Sequence, residues 1–338
     1  MAQVSTIGLD LAKNVFQVHG IDAQGQVLVR RSLRRAEVLP FFTKLSPCLI
    51  GMEACATAHH WGRELTKLGH TVKLMPPAYV KPYVKRGKTD AADAEAIAEA
   101  VQRPTMRFVA VKTTDQQAVL MLHKVRDLLV RQRTMLINAL RGHLAEFGIV
   151  AAQGAAGVTS AIAQFRTEQA DLPKLARSAI RRLIGQIEAV AEEVKRAETE
   201  IVAWCRADAA SRRLLTIPGI GPITASAIAA AVPDPSLFRS GRQFAAWLGL
   251  TPRPHSSGGK ERLGRISKQG DGMIRRLLVV GATAVIRVAR QDNPGRVWAK
   301  QLLERKPARV VSVALANKTA RIAWAVLMRG EVYRAPAV

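Results

Sequence analysis

Val4-Ser5-Thr6-Ile7-Gly8-Leu9-Asp10-Leu11-Ala12-Lys13-Asn14-Val15-Phe16-Gln17-Val18-His19 is the stretch whose reading decides the fold. Its first half is an apolar run that fits a buried strand and ends on a carboxylate. After a short polar break, residues 15–19 alternate as a second strand does. Gly25 marks a turn, and Val27-Leu28-Val29 continues as a third strand. Working outward, the pattern predicts a helix over 38–45, a strand over 48–52, a helix over 60–68 stopped by Gly69, and a strand over 71–75 ended by Pro76-Pro77.

Three strands in a meander followed by strand–helix alternation is the order expected of a ribonuclease H-like sheet, although periodicity alone also admits other α/β folds. Asp10 ends the first strand, and Glu53 ends the run Leu49-Ile50-Gly51-Met52-Glu53. Asp90 and Asp93, in Lys88-Thr89-Asp90-Ala91-Ala92-Asp93, open an Ala-rich helical stretch and share one face of it. Such a cluster is costly without a cation, because like charges at close range raise each other's pKa. One or two Mg²⁺ ions would turn it into a site for phosphodiester chemistry.

Composition narrows the partners. The chain has 338 residues, enough for two or three domains, and its 51 Lys and Arg against 26 Asp and Glu give a formal charge of +25. A balance that basic implies a polyanion, and nucleic acid before an anionic membrane, because no Lys/Arg cluster flanks an apolar anchor. The three cysteines, Cys48, Cys55 and Cys205, form no Cys-x-x-Cys pair, so neither a zinc ribbon nor a disulfide framework is indicated. A reduced cytosol fits, the N-terminus lacks the pattern of a signal peptide, and no membrane span is expected, since no apolar run reaches about 18 residues.

Beyond residue 113 the chain changes character. Ala118, Leu122, Val125, Leu129, Gln132, Leu136, Leu140 and Leu144 are spaced by threes and fours. After a Gly/Ala-rich break near 154–157, Ile180, Leu183, Ile187, Val190, Val194, Ala197, Ile201 and Trp204 repeat the pattern as a coiled-coil seam. An antiparallel pair, a dimerisation stalk or both would satisfy it. Residues 206–338 read as mostly helical. In Ile217-Pro218-Gly219-Ile220-Gly221-Pro222, Gly219 and Gly221 would let backbone N–H groups approach a phosphate, or would simply turn between helices. Residues 251–272 read as a polar loop, followed by apolar helices over 273–290 and 310–328. Residues 251–276 carry seven basic and two acidic side chains. A serine hydroxyl among these arginines could attack a phosphodiester; a basic loop that only holds DNA would look the same.

These motifs in this order resemble the insertion-sequence-110 family of transposases, bridge-RNA-guided DEDD recombinases. The residues that carry the resemblance are Gly8–Lys13, Met52-Glu53-Ala54, Lys88–Ala94, Ile217–Gly221 and Phe244-Ala245-Ala246-Trp247-Leu248-Gly249-Leu250-Thr251-Pro252-Arg253, and they span nearly the whole chain. The resemblance implies a RuvC-like domain over 1–113, a helical coiled-coil region over 114–205 and a C-terminal transposase domain over 206–338. It implies an acidic tetrad of Asp10, Glu53, Asp90 and Asp93 that holds Mg²⁺. It places the family's serine nucleophile at Ser257, before Gly258, with Ser256 one residue away. It also implies a structured noncoding bridge RNA, double-stranded donor and target DNA, and a homo-oligomer that is a dimer, and a tetramer when synapsed, working in the bacterial cytoplasm at the nucleoid.

On that reading Ser257 attacks phosphorus and holds the cut strand as a phosphoserine ester, so rejoining needs no ATP. Arg253, Lys260, Arg262, Arg265 and Lys268 are expected on phosphates. Lys13 is expected near the carboxylates, on a phosphate or paired with one of them. His255 is a general base by proximity, or a surface residue. His59 and His60 pack or cap a helix, Phe244 and Trp247 belong to the core, and Glu95 and Glu99 are solvated charges. Three rivals compete: a metal-dependent Holliday-junction endonuclease with no serine intermediate, a nucleic-acid scaffold with a decayed site, and an actin-like sugar kinase. The intact tetrad argues against the second. The charge and the lack of a Gly-rich phosphate motif argue against the third.

Overall fold

The computed structural model describes residues 3–85, 89–168, 172–260, 262–288 and 297–335. Lys88 of the Asp90 motif and Glu261 of the basic stretch over 251–276 lie outside them, as does the end of the helix expected over 273–290. The chain folds as two compact units, Met1–Gln117 with Ala231–Arg239 and Ala118–Ala230 with Ser240–Val338.

The first unit is mixed α/β. In chain order it runs β1 (Thr6–Asp10), β2 (Val15–Ile21), β3 (Val27–Arg34), α1 (Val38–Thr43), β4 (Leu49–Glu53), α2 (Ala58–Lys67), β5 (Thr71–Met75), α3 (Pro77–Val80) and α4 (Asp90–Val101). The sheet order is β3-β2-β1-β4-β5. β1, β2 and β3 pair antiparallel, whereas β1, β4 and β5 are parallel. Alternation sorts the two faces. Ile7, Leu9, Phe16, Val18 and Leu33 point to one side, where they form a core with Val38, Phe42, Trp61 and Leu65 of α1 and α2. Each fully buried side chain of that size contributes about 1.5–3 kcal/mol. On the opposite face α4 lies against β1, β2 and β4, and its Ile97 and Val101 are buried with Met75 and Val80.

Among the described residues the second unit is helical apart from one hairpin. It holds α5 (Thr114–Ala145, whose first turn belongs to the first unit), α6 (Ala155–Glu168), α7 (Lys174–Ala207), α8 (Ala209–Leu214), α9 (Pro222–Ala231), α10 (Gly241–Trp247), β6 (Pro252–Pro254), β7 (Leu263–Ile266), α11 (Gly272–Val288), α12 (Val297–Leu303) and α13 (Ala308–Arg329). α5 and α7 run antiparallel: Arg126 bonds Glu198 at 2.5 Å near one end, and Leu140 and Leu144 share a core with Ile180, Ile184 and Ile187 near the other.

Two sequence expectations change here, and of the alternatives for the two seams the antiparallel pair is found. The break near 154–157 holds α6, whose Ala161 and Phe165 complete the core between α5 and α7. The α7 seam is buried within its own chain from Ile180 to Cys205. The α5 stripe is shifted by one position in its first half, with Val119 and His123 buried and Val125 44% exposed. The cause is His123, a polar residue that no apolar template counts. Its Nε2 lies 3.0 Å from Ser226 Oγ, which donates to Pro222 O at 2.8 Å, so the imidazole supplies the proton.

α13 is long and apolar enough to cross a bilayer by length and composition. Its Val311, Ala316, Ala320 and Ala323 are fully buried, and the helix packs against α8, α10, α11 and α12.

Candidate active site

Asp10 is the last residue of β1 and Glu53 the last of β4. The two strands are parallel with Gly8 opposite Gly51, and each carboxylate lies two residues further on, so both emerge at the same end of neighbouring strands. Asp90 and Asp93 occupy the first turn of α4. Thr89 caps that helix: its Oγ1 accepts from Ala92 N at 3.2 Å, and its carbonyl accepts from Asp93 N at 3.0 Å. Carboxylate oxygens of Asp10, Asp90 and Asp93 lie within 4.8 Å of one another.

The strand glycines make this approach feasible. A Cβ on Gly8 would stand 2.0 Å from Ala94 O and 2.5 Å from Ala98 N, so α4 rests on bare backbone of β1. At Gly51 the corresponding atom would meet Val101 Cβ at 2.8 Å. The seat that lowers α4 onto the sheet therefore lies two residues from each strand carboxylate.

The pKa of the Cys55 thiol is raised above its usual value, first by desolvation and then by the charges of Glu53 and Asp10. Both carboxylates thus bear on one spot beyond the strand ends. A set of carboxylate oxygens suits a hard divalent cation. Asp10, Asp90 and Asp93 are the residues that would hold such a cation together. Lys13 lies exposed in the turn between β1 and β2, three residues from Asp10.

The other constellation lies in the second unit. The expected loop over 251–272 is instead a β-hairpin. Pro254 pairs with Leu263, His255 N donates to Arg262 O at 2.7 Å and Lys260 N to Ser257 O at 3.1 Å, and Ser257 bridges Lys260. The two-residue tip is Gly258-Gly259, with φ of 57° and 75°, the backbone a tight hairpin turn requires. A Gly/Ser/Lys/Arg-rich stretch lacks the β-branched residues that announce strands, but Gly-Gly between Ser257 and Lys260 was the available signal.

Register places His255, Ser257, Lys260 and Arg262 on one hairpin face. The two serines differ. Ser256 Oγ accepts from Arg262 N at 3.2 Å, whereas the Ser257 hydroxyl is exposed and has no hydrogen-bond partner among the described residues. The His255 ring lies over Gly264, where a Cβ would come within 2.9 Å of Nε2. Arg253 reaches back to Ser267 O at 2.9 Å. Lys260, Arg262, Arg265 and Lys268 are exposed. The root of the hairpin is tied down: Arg275 donates to Leu248 O and Gln269 O, and Asn317 donates to Leu250 O.

Of the turn glycines, Gly219 (φ 87°) packs backbone to backbone on Gly281 of α11, while Gly221 stands open before α9. His59 Nδ1 accepts from Lys112 N at 3.2 Å, a packing role. Phe244 is buried and stacks on Trp247 at 5.6 Å. Glu95 departs from a simple solvated charge, since Lys85 bonds it at 2.5 Å.

Comparison with known proteins bears on both constellations. A family model described as transposase, IS116/IS110/IS902 family, matches residues 211–294, and a DEDD transposase model of the IS110 type matches residues 7–149. The chain is 53% identical over 334 residues to a probable family 20 transposase of Pseudomonas aeruginosa, covering 98% of this chain and 99% of that one. It is 42% identical to the transposase for insertion sequence element IS1328 of Yersinia enterocolitica, covering 98% and 99%. It is 41% identical to the transposase for insertion sequence element IS1111A of Coxiella burnetii, covering 99% and 92%.

Proposed function

The chain belongs to the IS110/IS116/IS902 family of transposases, enzymes that cut and rejoin DNA, and from that premise we propose that it does so by a serine transesterification at a RuvC-like carboxylate site. The observation that carries this reading is the convergence of Asp10, Asp90 and Asp93 at the end of β1, beside Glu53 on β4. The sheet order β3-β2-β1-β4-β5 with α4 on the carboxylate side supports the RuvC-like assignment.

Asp10, Glu53, Asp90 and Asp93 hold Mg²⁺; when bound, it supplies charge stabilisation at the scissile phosphate and its leaving oxygen. The oxygen ligands fit that cation and disfavour softer ones. Ser257 Oγ attacks phosphorus, losing its proton, as the bond from phosphorus to the leaving sugar oxygen breaks and that oxygen takes up a proton. The strand is then held as a phosphoserine ester. A sugar hydroxyl of another strand attacks the ester, and Ser257 is released with its proton restored. No bond energy is lost between the two steps. The uncommitted hydroxyl of Ser257, beside Ser256 with its bond to Arg262, supports Ser257 as the nucleophile. Lys260 and Arg262 share its hairpin face, and Arg253, Arg265 and Lys268 are further cations of the hairpin and its root for the phosphate. Lys13 serves a phosphate next to the carboxylates, and Gly221 offers backbone at the start of α9.

The partners are double-stranded donor and target DNA, a structured noncoding RNA that pairs with both, and further copies of this chain. The charge of +25 supports two polyanionic partners. The test is cleavage of labelled donor DNA with the RNA transcribed from the flanking noncoding region. Mg²⁺ dependence is expected, with a loss of about 10³-fold or more in Asp10→Asn and in Asp93→Asn. Cleavage that survives both substitutions would overturn the assignment.

A further inference from the structure

A groove lies on the same sheet face as the carboxylates, on the other flank of α4. Register defines it. Asp10 is paired with Gln17, and Gln17 with Ser32; Gly8 is paired with His19, and His19 with Arg30. These rows face the same way, so the sheet that presents Asp10 continues as Gln17, Ser32, His19 and Arg30. Ala91, Ala92 and Glu95 of α4 form the opposite wall, and the cavity measures about 370 Å³. On a helix, residues 91, 92 and 95 turn away from Asp90 and Asp93. The groove is therefore the direct continuation of the cluster beneath α4.

Its chemistry is that of an anion site. His19 is only 6% exposed and borders the cavity, yet its imidazole has no hydrogen-bond partner among the described residues. Its ring nitrogens are not among the enclosed side-chain atoms that lack a partner, so they open onto the cavity, where water or a ligand supplies the partner. Arg30, its cross-strand neighbour, is exposed and carries a permanent charge. The one carboxylate on the wall, Glu95, is bonded by Lys85 at 2.5 Å, which offsets its repulsion of an anion. Ser32 donates to Gln17 Oε1 at 2.9 Å, leaving the Gln17 amide N–H groups for a ligand. Burial holds the His19 pKa below its usual value; Glu95 opposes this, and Arg30 and Lys85 reinforce it. The ring is thus neutral near pH 7 and offers one N–H.

We propose that this groove binds a single backbone phosphate of a nucleic-acid strand next to the phosphate at the carboxylates, with Arg30, His19 and Gln17 as donors. The inference rests on the carboxylate site being where the strand is cut, but its test does not. Binding of labelled single-stranded DNA and RNA of one sequence is measured by anisotropy, in EDTA and over a range of salt, for wild type, Arg30→Gln, His19→Gln and Asp10→Asn. Arg30→Gln is expected to weaken binding about tenfold and to flatten the log–log salt slope by about 0.7. His19→Gln is expected to weaken binding with little change of slope.

The effect of Arg30→Gln should vanish when one particular phosphate of the strand is replaced by an uncharged methylphosphonate. Loss confined to DNA names the cut strand as occupant, and loss confined to RNA names the guide. Because Arg30 is exposed, its variant is expected to melt as wild type does, which keeps the test valid if His19→Gln is unstable. Wild-type affinity and slope in Arg30→Gln, or a loss that no single phosphate accounts for, would overturn the site. Asp10→Asn separates the two readings: it should abolish cleavage with the groove's contribution to binding intact. If it still cuts, the carboxylate assignment fails, and the groove is judged on binding alone.

Discussion

The carboxylate end of the first unit and the hairpin of the second unit hold their chemistry in opposite ways. Asp10, Glu53, Asp90 and Asp93 sit at the ends of elements that are built largely of core residues. Ile7, Leu9, Ile50, Met52 and Ile97 are all fully buried, and α4 is seated on the backbone of Gly8. Moving one carboxylate means moving a strand or a helix. Ser257 stands instead beside the tip of a two-stranded hairpin whose residues 252–260 and 262–265 are nearly all exposed. What holds it is a turn of two glycines below a root tied by Arg275 and Asn317. The contrast fits the division of labour proposed: a rigid frame suits a cation that demands fixed geometry, and a reachable tip suits a nucleophile that stays attached to a strand.

The largest expected effect breaks the rigid side. Gly8→Val puts two methyl groups where α4 backbone already lies 2.0 Å from a Cβ. It is expected to cost about 3 kcal/mol or more, read by urea unfolding, and to abolish cleavage with every carboxylate still present. A mild loss would show that α4 is not seated as described.

Next comes pH, which loosens the second unit. The pKa of His123 is lowered to about 4, by burial first and by Arg126 second, with Asp271 opposing. An unfolded histidine titrates near 6.5, so the unfolded chain binds more protons between those values. The stabilisation is complete above pH 6.5 and is lost as pH falls toward 4. About 2 kcal/mol should go between pH 7 and pH 5. His123→Leu should flatten that part of the profile, leaving Ser226 its bond to Pro222 O. An unchanged profile would mean that His123 does not govern it.

A smaller effect sharpens the flexible side. Gly258→Ala and Gly259→Ala each put a side chain at positive φ, costing about 1 kcal/mol. Since the tip is held locally, global stability should move little while strand transfer falls. A fall in melting temperature as large as that of Gly8→Val would mean that the two sites are held alike. The smallest is Ser256→Ala, which removes the acceptor for Arg262 N and should cost about 1 kcal/mol or less at this exposed site. Ser257→Ala should cost no measurable stability. Thermal melts of the pair read the difference.

Much of the first unit is legible in the sequence. Its strands are apolar or alternating and bounded by Gly and Pro, and the four carboxylates stand where those patterns end. Residues 71–75 match β5 as read, and β3 runs five residues past Val29, where the later positions apart from the buried Leu33 are polar or charged and exposed and carry no apolar signal. The second unit is less legible. The stripe of α5 passes through His123, whose partner Ser226 is 103 residues away. α6 lies among glycines and alanines that carry no periodic signal. The hairpin consists of polar residues whose pairing comes from backbone bonds and two glycines. Gln17 and His19 are strand residues by pattern; only the register with Asp10 and Gly8 shows that they extend the carboxylate face.

The central claim is that a hydroxyl on the hairpin becomes covalently bound to DNA. It is tested most directly by incubating labelled donor DNA with Mg²⁺, the RNA and wild-type, Ser256→Ala or Ser257→Ala protein. The products are then run on a denaturing gel with and without protease. The account predicts a protease-sensitive adduct in wild type and Ser256→Ala that is absent in Ser257→Ala. Equal amounts of free nicked DNA from all three proteins would contradict it and leave hydrolysis at the carboxylates as the chemistry.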